Sequence, residues 1–352
     1  MMKMNTLKFF SCLAVAANIP SVFASPRVIN GEDSKPGHFP YFVHFTTFTD
    51  IVEPKMASCG GTLIAPDLVL SAAHCNYGFH EPDRPWNVGM PVAIGAYGPF
   101  VHPNRPPEGS QVRYCAAWIP HPLWDDEKFV YDIALCKLNY PVTIDQSFVT
   151  LELNEDPHAP AVGTEVIGVG LGAIHPFDPI FPETLQNVTF PTRSHEVCKE
   201  IHSKGPYQKH VIDPELTLCA DFDEMNGKTT CRGDSGGPLV KRVGLGDGSF
   251  VDIQYGLTSW GWWPQCRDAV FARISGVFDW IKATGCGRLN ARGPFCGKPE
   301  EISMEFIYEF DCSDSLTSLW CEAFYQPTKS PKKTKAPKRT KAPKQTKAPK
   351  RT

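Results

Sequence analysis

Between Val28 and Ile274 the hydrophobic positions fall in short runs, each cut off by Gly, Pro, Asn or Asp. Tyr41-Phe42-Val43-His44-Phe45, Thr164 to Val169 and Phe250 to Thr258 are three such runs. Brief β-type runs with turn residues between them predict an all-β sandwich or barrel. Helical spacing enters only near the end of this region. Over Gly276 to Ala283 the apolar residues Val277, Phe278, Trp280 and Ile281 share one helical face, and Gly285 stands where it can stop the helix.

The pattern changes at both flanks. Lys3 and Lys8 are followed by a mostly apolar stretch from Phe9 to Ile19, and Val22-Phe23-Ala24 suits a cleavage site. This reads as a secretory signal over 1–24, since the apolar run is short for a bilayer span. After Cys286 the β pattern ends. Gly287 to Phe324 holds three cysteines and several aromatic residues, which suits a small disulfide-pinned extension (287–326). From Thr328 the chain repeats Thr-Lys-Ala-Pro-Lys-Arg/Gln. Proline blocks helix and central strand, and nothing there can build a core, so 327–352 is expected to be an extended, disordered basic tail.

Charge sharpens that division. The tail carries 11 of the 35 Lys and Arg residues and no acid; the rest has 24 basic residues against 38 acidic ones, a formal −14. The tail reads equally as a solvated spacer or as an electrostatic tether to an anionic polysaccharide or membrane surface. An exported protein is not expected to meet nucleic acid. The 352 residues are 42% hydrophobic, enough for two domains around a sizeable core. Thirteen cysteines fit an oxidising compartment, and with Cys12 in the signal an even 12 remain. No Cys-x-x-Cys or His-Cys cluster has zinc spacing, so no metal or other cofactor is expected. Asn187-Val188-Thr189 is a glycosylation sequon whose occupancy the sequence leaves open.

The chemistry lies in three short segments. Cys231-Arg232-Gly233-Asp234-Ser235-Gly236-Gly237-Pro238 frames a serine with glycines. Serine is a weak nucleophile unless a base lies in hydrogen-bond reach and backbone amides hold the oxyanion; glycines allow that tight wrapping. Leu70-Ser71-Ala72-Ala73-His74-Cys75 sets a histidine in a small, apolar run. Asp132-Ile133-Ala134-Leu135 sets a carboxylate at the head of an apolar strand. Singly, these could be a surface turn, a core histidine and a strand-entry residue. Together, in the order His, Asp, Ser, they select an acyl-transfer site.

With Arg27-Val28-Ile29-Asn30-Gly31, Cys59-Gly60-Gly61-Thr62-Leu63-Ile64 and Ser259-Trp260-Gly261, these segments resemble the chymotrypsin-like serine endopeptidases of the trypsin superfamily, from about Val28 to about Cys286. The resemblance implies two six-stranded antiparallel β-barrels, roughly 28–150 and 151–275, with a C-terminal helix and the active site between them. It implies a secreted enzyme that acts as a monomer on protein or peptide substrates. Ser235 would be the nucleophile, His74 the general base and Asp132 its orienting partner, with the Gly233 and Ser235 amides as oxyanion hole. Ser259, Trp260 and Gly261 would form the strand that pairs with substrate. An activating protease would cut after Arg27, releasing the 25–27 propeptide, and the new Val28 ammonium would pair with Asp234. A protease-like binding module, weakly active or inactive and held to an anionic surface by the tail, is the alternative reading of the same scaffold.

The resemblance also implies the bridges Cys59–Cys75, Cys198–Cys219 and Cys231–Cys266. A further family bridge has Val166 and Lys241 at its two positions, both ends missing together. Cys115, Cys136, Cys286, Cys296, Cys312 and Cys321 allow 15 connectivities; Cys115–Cys136 is expected, on what look like neighbouring strands. In the primary specificity pocket, Thr229 would be the floor where trypsin-like members carry aspartate, with Gly261 and Ala269 as walls. That implies an apolar or medium side chain. A one-residue shift would put Asp268 in the pocket and restore a basic preference. Trp262, Trp263 and Pro264 crowd the rim.

Overall fold

A computed structural model describes residues 29, 31–46, 58–76, 90–102, 104–143, 151–178, 180–204, 207–220, 227–262 and 266–297. The signal, Arg27, Val28, Trp263, Pro264, Cys312, Cys321 and the basic tail lie outside the described residues.

The short runs become strands. After β1 (Glu32–Asp33) come β2 (Phe42–Thr46), β3 (Ser58–Ala65), β4 (Leu68–Ser71), β5 (Pro91–Ile94), β6 (Gln111–Pro120) and β7 (Ala134–Leu138). The last six close into a barrel in the order β2-β3-β4-β7-β6-β5. Then follow β8 (Leu151–Leu153), β9 (Glu165–Gly170), β10 (Gln186–Arg193), β11 (Thr217–Ala220), β12 (Pro238–Gly244), β13 (Phe250–Trp262) and β14 (Arg267–Arg273). The last six close in the order β9-β10-β11-β14-β13-β12, because β9 also pairs with β10. β1 joins this barrel at β10, and β8 lies parallel against β13. Two six-stranded antiparallel barrels are what the resemblance implies.

Phe42, Val43, His44 and Phe45 are all buried, so β2 is covered on both faces. His44 is accommodated because its Nδ1 accepts the Phe100 amide at 3.0 Å. Burial pushes its imidazole down to about 4, keeping it neutral as the hydrogen bond requires. The barrels are joined by a buried polar knot. Arg242 on β12 grips Asp252 on β13 through two N–H groups, at 2.8 and 2.6 Å, and Tyr41 donates to the same carboxylate at 2.7 Å.

Among the described residues five disulfides are formed: Cys59–Cys75, Cys115–Cys136, Cys198–Cys219, Cys231–Cys266 and Cys286–Cys296. The first four are the expected ones, and the fifth resolves a pair the sequence left open. Leu239 stands opposite Gly168 and Val240 opposite Ile167. One step further along this register puts Lys241 beside Val166, the position of the missing bridge.

The C-terminal helix differs from expectation in where it ends. After a 3₁₀ turn at Ser275–Val277 it runs as α2 (Phe278–Lys282) and widens into a π-helical turn over Ala283–Arg288. Gly285 therefore does not stop it. A Cβ at Gly285 would sit 2.8 Å from Leu68 Cδ2, so this glycine answers to close packing on the first barrel. The helix α1 (His195–His202), capped by Ser194, has no counterpart in the sequence reading.

The sequon asparagine, Asn187, is 6% exposed on β10, and its Nδ2 donates to Ser34 Oγ at 3.0 Å. The same nitrogen donates to Glu32 O at 3.4 Å, so a glycan there would have to displace one of the two contacts.

Candidate active site

His74 lies in a single 3₁₀ turn, Ala73–Cys75, directly after β4. The Cys59–Cys75 disulfide ties that turn to β3. Asp132 enters β7 and is 1% exposed. Its carboxylate holds His74 twice: Oδ1 accepts the His74 backbone N–H at 2.9 Å, and Oδ2 lies 2.7 Å from Nδ1. Ser259 on β13 donates its hydroxyl to the same Oδ2 at 2.5 Å. A buried carboxylate with three donors is a satisfied anion, and the imidazole it anchors keeps Nε2 for chemistry.

Ser235 sits in the turn before β12, fixed from both barrels. Its carbonyl accepts the Gly60 amide at 2.7 Å, while the next amide, Gly236, donates to Thr258 O at 2.7 Å. Gly233 and Gly236 have φ of +98° and +74°. A side chain at Gly236 would be strained by φ and would strike Ser71 Oγ at 2.3 Å and Gly60 O at 2.5 Å. This packs the Ser235 turn against Ser71 and Ala72, just ahead of His74. Among the described residues no hydrogen bond joins Ser235 Oγ to His74. Such bonds are often long without substrate and tighten in the complex. Backbone donors assigned within this turn are Asp234, Gly236 and Gly237; the amides of Gly233 and Ser235 are not among them.

Asp234 is fully buried. Its oxygens accept the Gly172 amide at 2.7 Å and the Cys231 amide at 2.8 Å, yet burial pushes its carboxyl up to about 6. Cβ atoms at Gly170 or Gly172 would fall 2.0 and 2.5 Å from this side chain, so both glycines make room for it. Ile29, immediately after Val28, packs against Ala173, Cys231 and Cys266, and its carbonyl accepts the Thr229 amide at 3.3 Å.

Ser235, Ser259, Trp260, Gly261 and Ala269 open onto one cavity of about 130 Å³. Gly261 and Ala269 both line it and stand side by side: a Cβ on Gly261 would lie 3.4 Å from Ala269 Cα. Asp268 does not line it; its carbonyl is instead 3.1 Å from His202 Nε2. Thr229 is fully buried behind the lining, and Thr230 presents itself there.

Sequence reading missed Arg232 and Arg267, which also line the cavity. Each directly follows a half-cystine of the Cys231–Cys266 bridge, and that adjacency was the available signal. Arg267 lies over the Trp262 ring at 5.1 Å and 3.5 Å from the Asp268 carboxylate. It also missed an aromatic wall beside the triad candidates. Phe129, at φ +52°, stands 5.6 Å from the His74 ring, stacks on His210 at 4.6 Å, and His210 meets Trp260 edge-on at 4.6 Å.

Cys59, His74 and Cys75 lie within 4.8 Å of one another. Both sulfurs are spent in a disulfide and Nδ1 faces Asp132, so this donor set does not suit a metal ion.

The sequence model of the trypsin family matches residues 28–281, most of the chain. The chain belongs to the trypsin family. Among its relatives, the snake venom serine protease catroxase-1 of Crotalus atrox is 30% identical, covering 70% of this chain and 85% of the relative. A trypsin of Simulium vittatum is 27% identical over 76% of this chain and 95% of its own. Human kallikrein-2 is 31% identical over 65% of this chain and 80% of its own. As a trypsin-family member this protein is a serine endopeptidase, a hydrolase of peptide bonds.

Proposed function

We propose that this trypsin-family chain is a secreted endopeptidase whose Ser235 attacks the scissile carbonyl while His74 removes its proton and returns it to the leaving amine. Asp132 holds the imidazole in the needed tautomer and stabilises its charged form. The Gly233 and Ser235 amides stabilise the oxyanion. The observation that carries this reading is the doubly held His74, Nδ1 at 2.7 Å from a buried carboxylate, with Ser235 and Ser259 opening onto one cavity beside it.

Activation is by cleavage after Arg27. The Val28 ammonium would then reach Asp234, guided by the docked Ile29, and fix the turn that carries Gly233 and Ser235. The primary pocket is non-tryptic. Among the described residues its lining has no carboxylate, it carries Arg232 and Arg267, and Ala269 adds a methyl group beside Gly261. Among the described residues that lining offers no acid to pair a lysine or arginine side chain of a substrate, so a medium apolar side chain fits better. The basic tail would hold the monomeric enzyme near anionic surfaces.

Ser235→Ala tests the assignment. It should lower turnover by several orders of magnitude with the melting transition unchanged. Full residual activity in that variant would remove Ser235 from the mechanism.

A further inference from the structure

A second cavity lies away from the active site. It measures about 410 Å³ and is walled by Leu63 and Ile64 of β3, Leu151 and Leu153 of β8, and Phe278 and Phe295. Its far wall is carried by the segment that the Cys286–Cys296 disulfide closes against the first barrel; a Cβ on Gly293 would lie 2.5 Å from Ile64 O. β8 is bonded to β13 along one edge. Among the described residues no strand pairs with its other edge. An open sheet edge bordering a cavity with apolar side chains in its walls is a template for strand addition.

Gly297 itself lines this cavity, and the chain continues from it. After four intervening residues begins Ile302-Ser303-Met304-Glu305-Phe306-Ile307-Tyr308-Glu309-Phe310. Ile302, Met304, Phe306, Tyr308 and Phe310 alternate with Ser303, Glu305, Ile307 and Glu309, so one face is wholly apolar at the strand period. Four intervening residues reach roughly 14 Å when extended, ample for a start at the cavity rim. The lining carries Lys282 and Arg292 together with two acids, and Lys298 to Asp311 carries five acids. Glu152 and Glu155 stand on the β8 side, and Lys298 is the cation of the segment that can meet them.

We infer that Ile302–Phe310 docks in cis as a strand on the open edge of β8, its apolar face filling this cavity. The occupant is this chain's own extension because covalent attachment at the rim gives a local concentration of about millimolar, which a free partner would have to match. The inference depends on the fold and on the pattern of the extension, and is independent of the catalytic reading.

Amide hydrogen exchange on the full chain, read by mass spectrometry, tests it. The 302–310 amides should exchange at least tenfold more slowly than in a synthetic peptide of that sequence. Phe306→Asp should return them to the peptide rate and speed exchange at Leu151–Leu153, leaving the rest of both barrels and the peptidase activity unchanged. Peptide-rate exchange of 302–310 in the full chain would overturn the inference. So would protection that grows with protein concentration together with a dimer mass in light scattering, since the occupant would then be a second copy.

Discussion

Asp234 offers a measurable consequence of burying a carboxylate whose proposed partner, the Val28 ammonium, would be released only by cleavage. Its two backbone donors do not offset desolvation, and its carboxyl titrates at about 6 instead of 3.8. A carboxyl raised on folding keeps a proton that the unfolded chain has released. Between about pH 4 and pH 6 the folded state therefore binds more protons, and stability falls as pH rises. The size follows from 1.36 kcal/mol for each tenfold change in proton affinity, about 3 kcal/mol across the window. Other groups titrate there with the opposite sign. Burial lowers His44 and His121 to about 4, so each contributes stability that is lost as pH falls from 6.5 towards 4. The uncleaved chain must therefore be compared with Asp234→Asn, which cancels both histidines. Urea unfolding of an Arg27→Gln chain, disulfides intact, should show its stability relative to the Asp234→Asn form falling by about 3 kcal/mol from pH 4 to pH 7. The amide costs something at every pH because it sets a second donor against the Cys231 amide, so the slope is the readout. In the chain cleaved after Arg27 the Val28 ammonium should flatten or reverse that slope. A pH-independent difference between the uncleaved pair would refute the reasoning, and identical slopes before and after cleavage would refute the pairing.

Three further outcomes are expected. Arg242→Met should cost about 3–5 kcal/mol in urea unfolding, because it leaves the fully buried Asp252 carboxylate with Tyr41 in place of its guanidinium partner; a cost below 1 kcal/mol would mean that Asp252 is not charged in the fold. Ala269→Gly should raise kcat/KM for peptides with Phe before the scissile bond, relative to Leu, by about tenfold, the value of roughly one methylene in a pocket; a peptide-library profile reads this directly. In the parent enzyme the same library should show cleavage after Leu or Met exceeding cleavage after Lys or Arg, and a dominant basic preference would sink the pocket assignment.

Much of this protein was legible in one dimension. Strand runs at Phe42 to Phe45 and Phe250 to Thr258 announced themselves because β-structure repeats every two residues and is ended by local turn chemistry. The candidates His74, Asp132 and Ser235 were legible because the backbone around each is constrained: small residues beside His74, glycines around Ser235 that must approach Ser71 and Gly60 closely. Gly285 misled for a related reason. A glycine that stops a helix and one that permits contact with Leu68 look the same in a sequence.

The sequence by itself determined which residue types were present to perform acyl transfer, and that its core would be built from strands. Only the tertiary structure decided that Thr230 and not Thr229 lines the cavity, that Asp268 stands outside the lining with its backbone carbonyl at His202, and that Arg232 and Arg267 both line it. It also decided that Cys286 pairs with Cys296 and folds the chain back over Ile64. These are long-range outcomes. Side-chain direction at a pocket depends on strand register and on left-handed backbone at Cys266 and Asp268, which packing between distant segments fixes and local propensity does not encode.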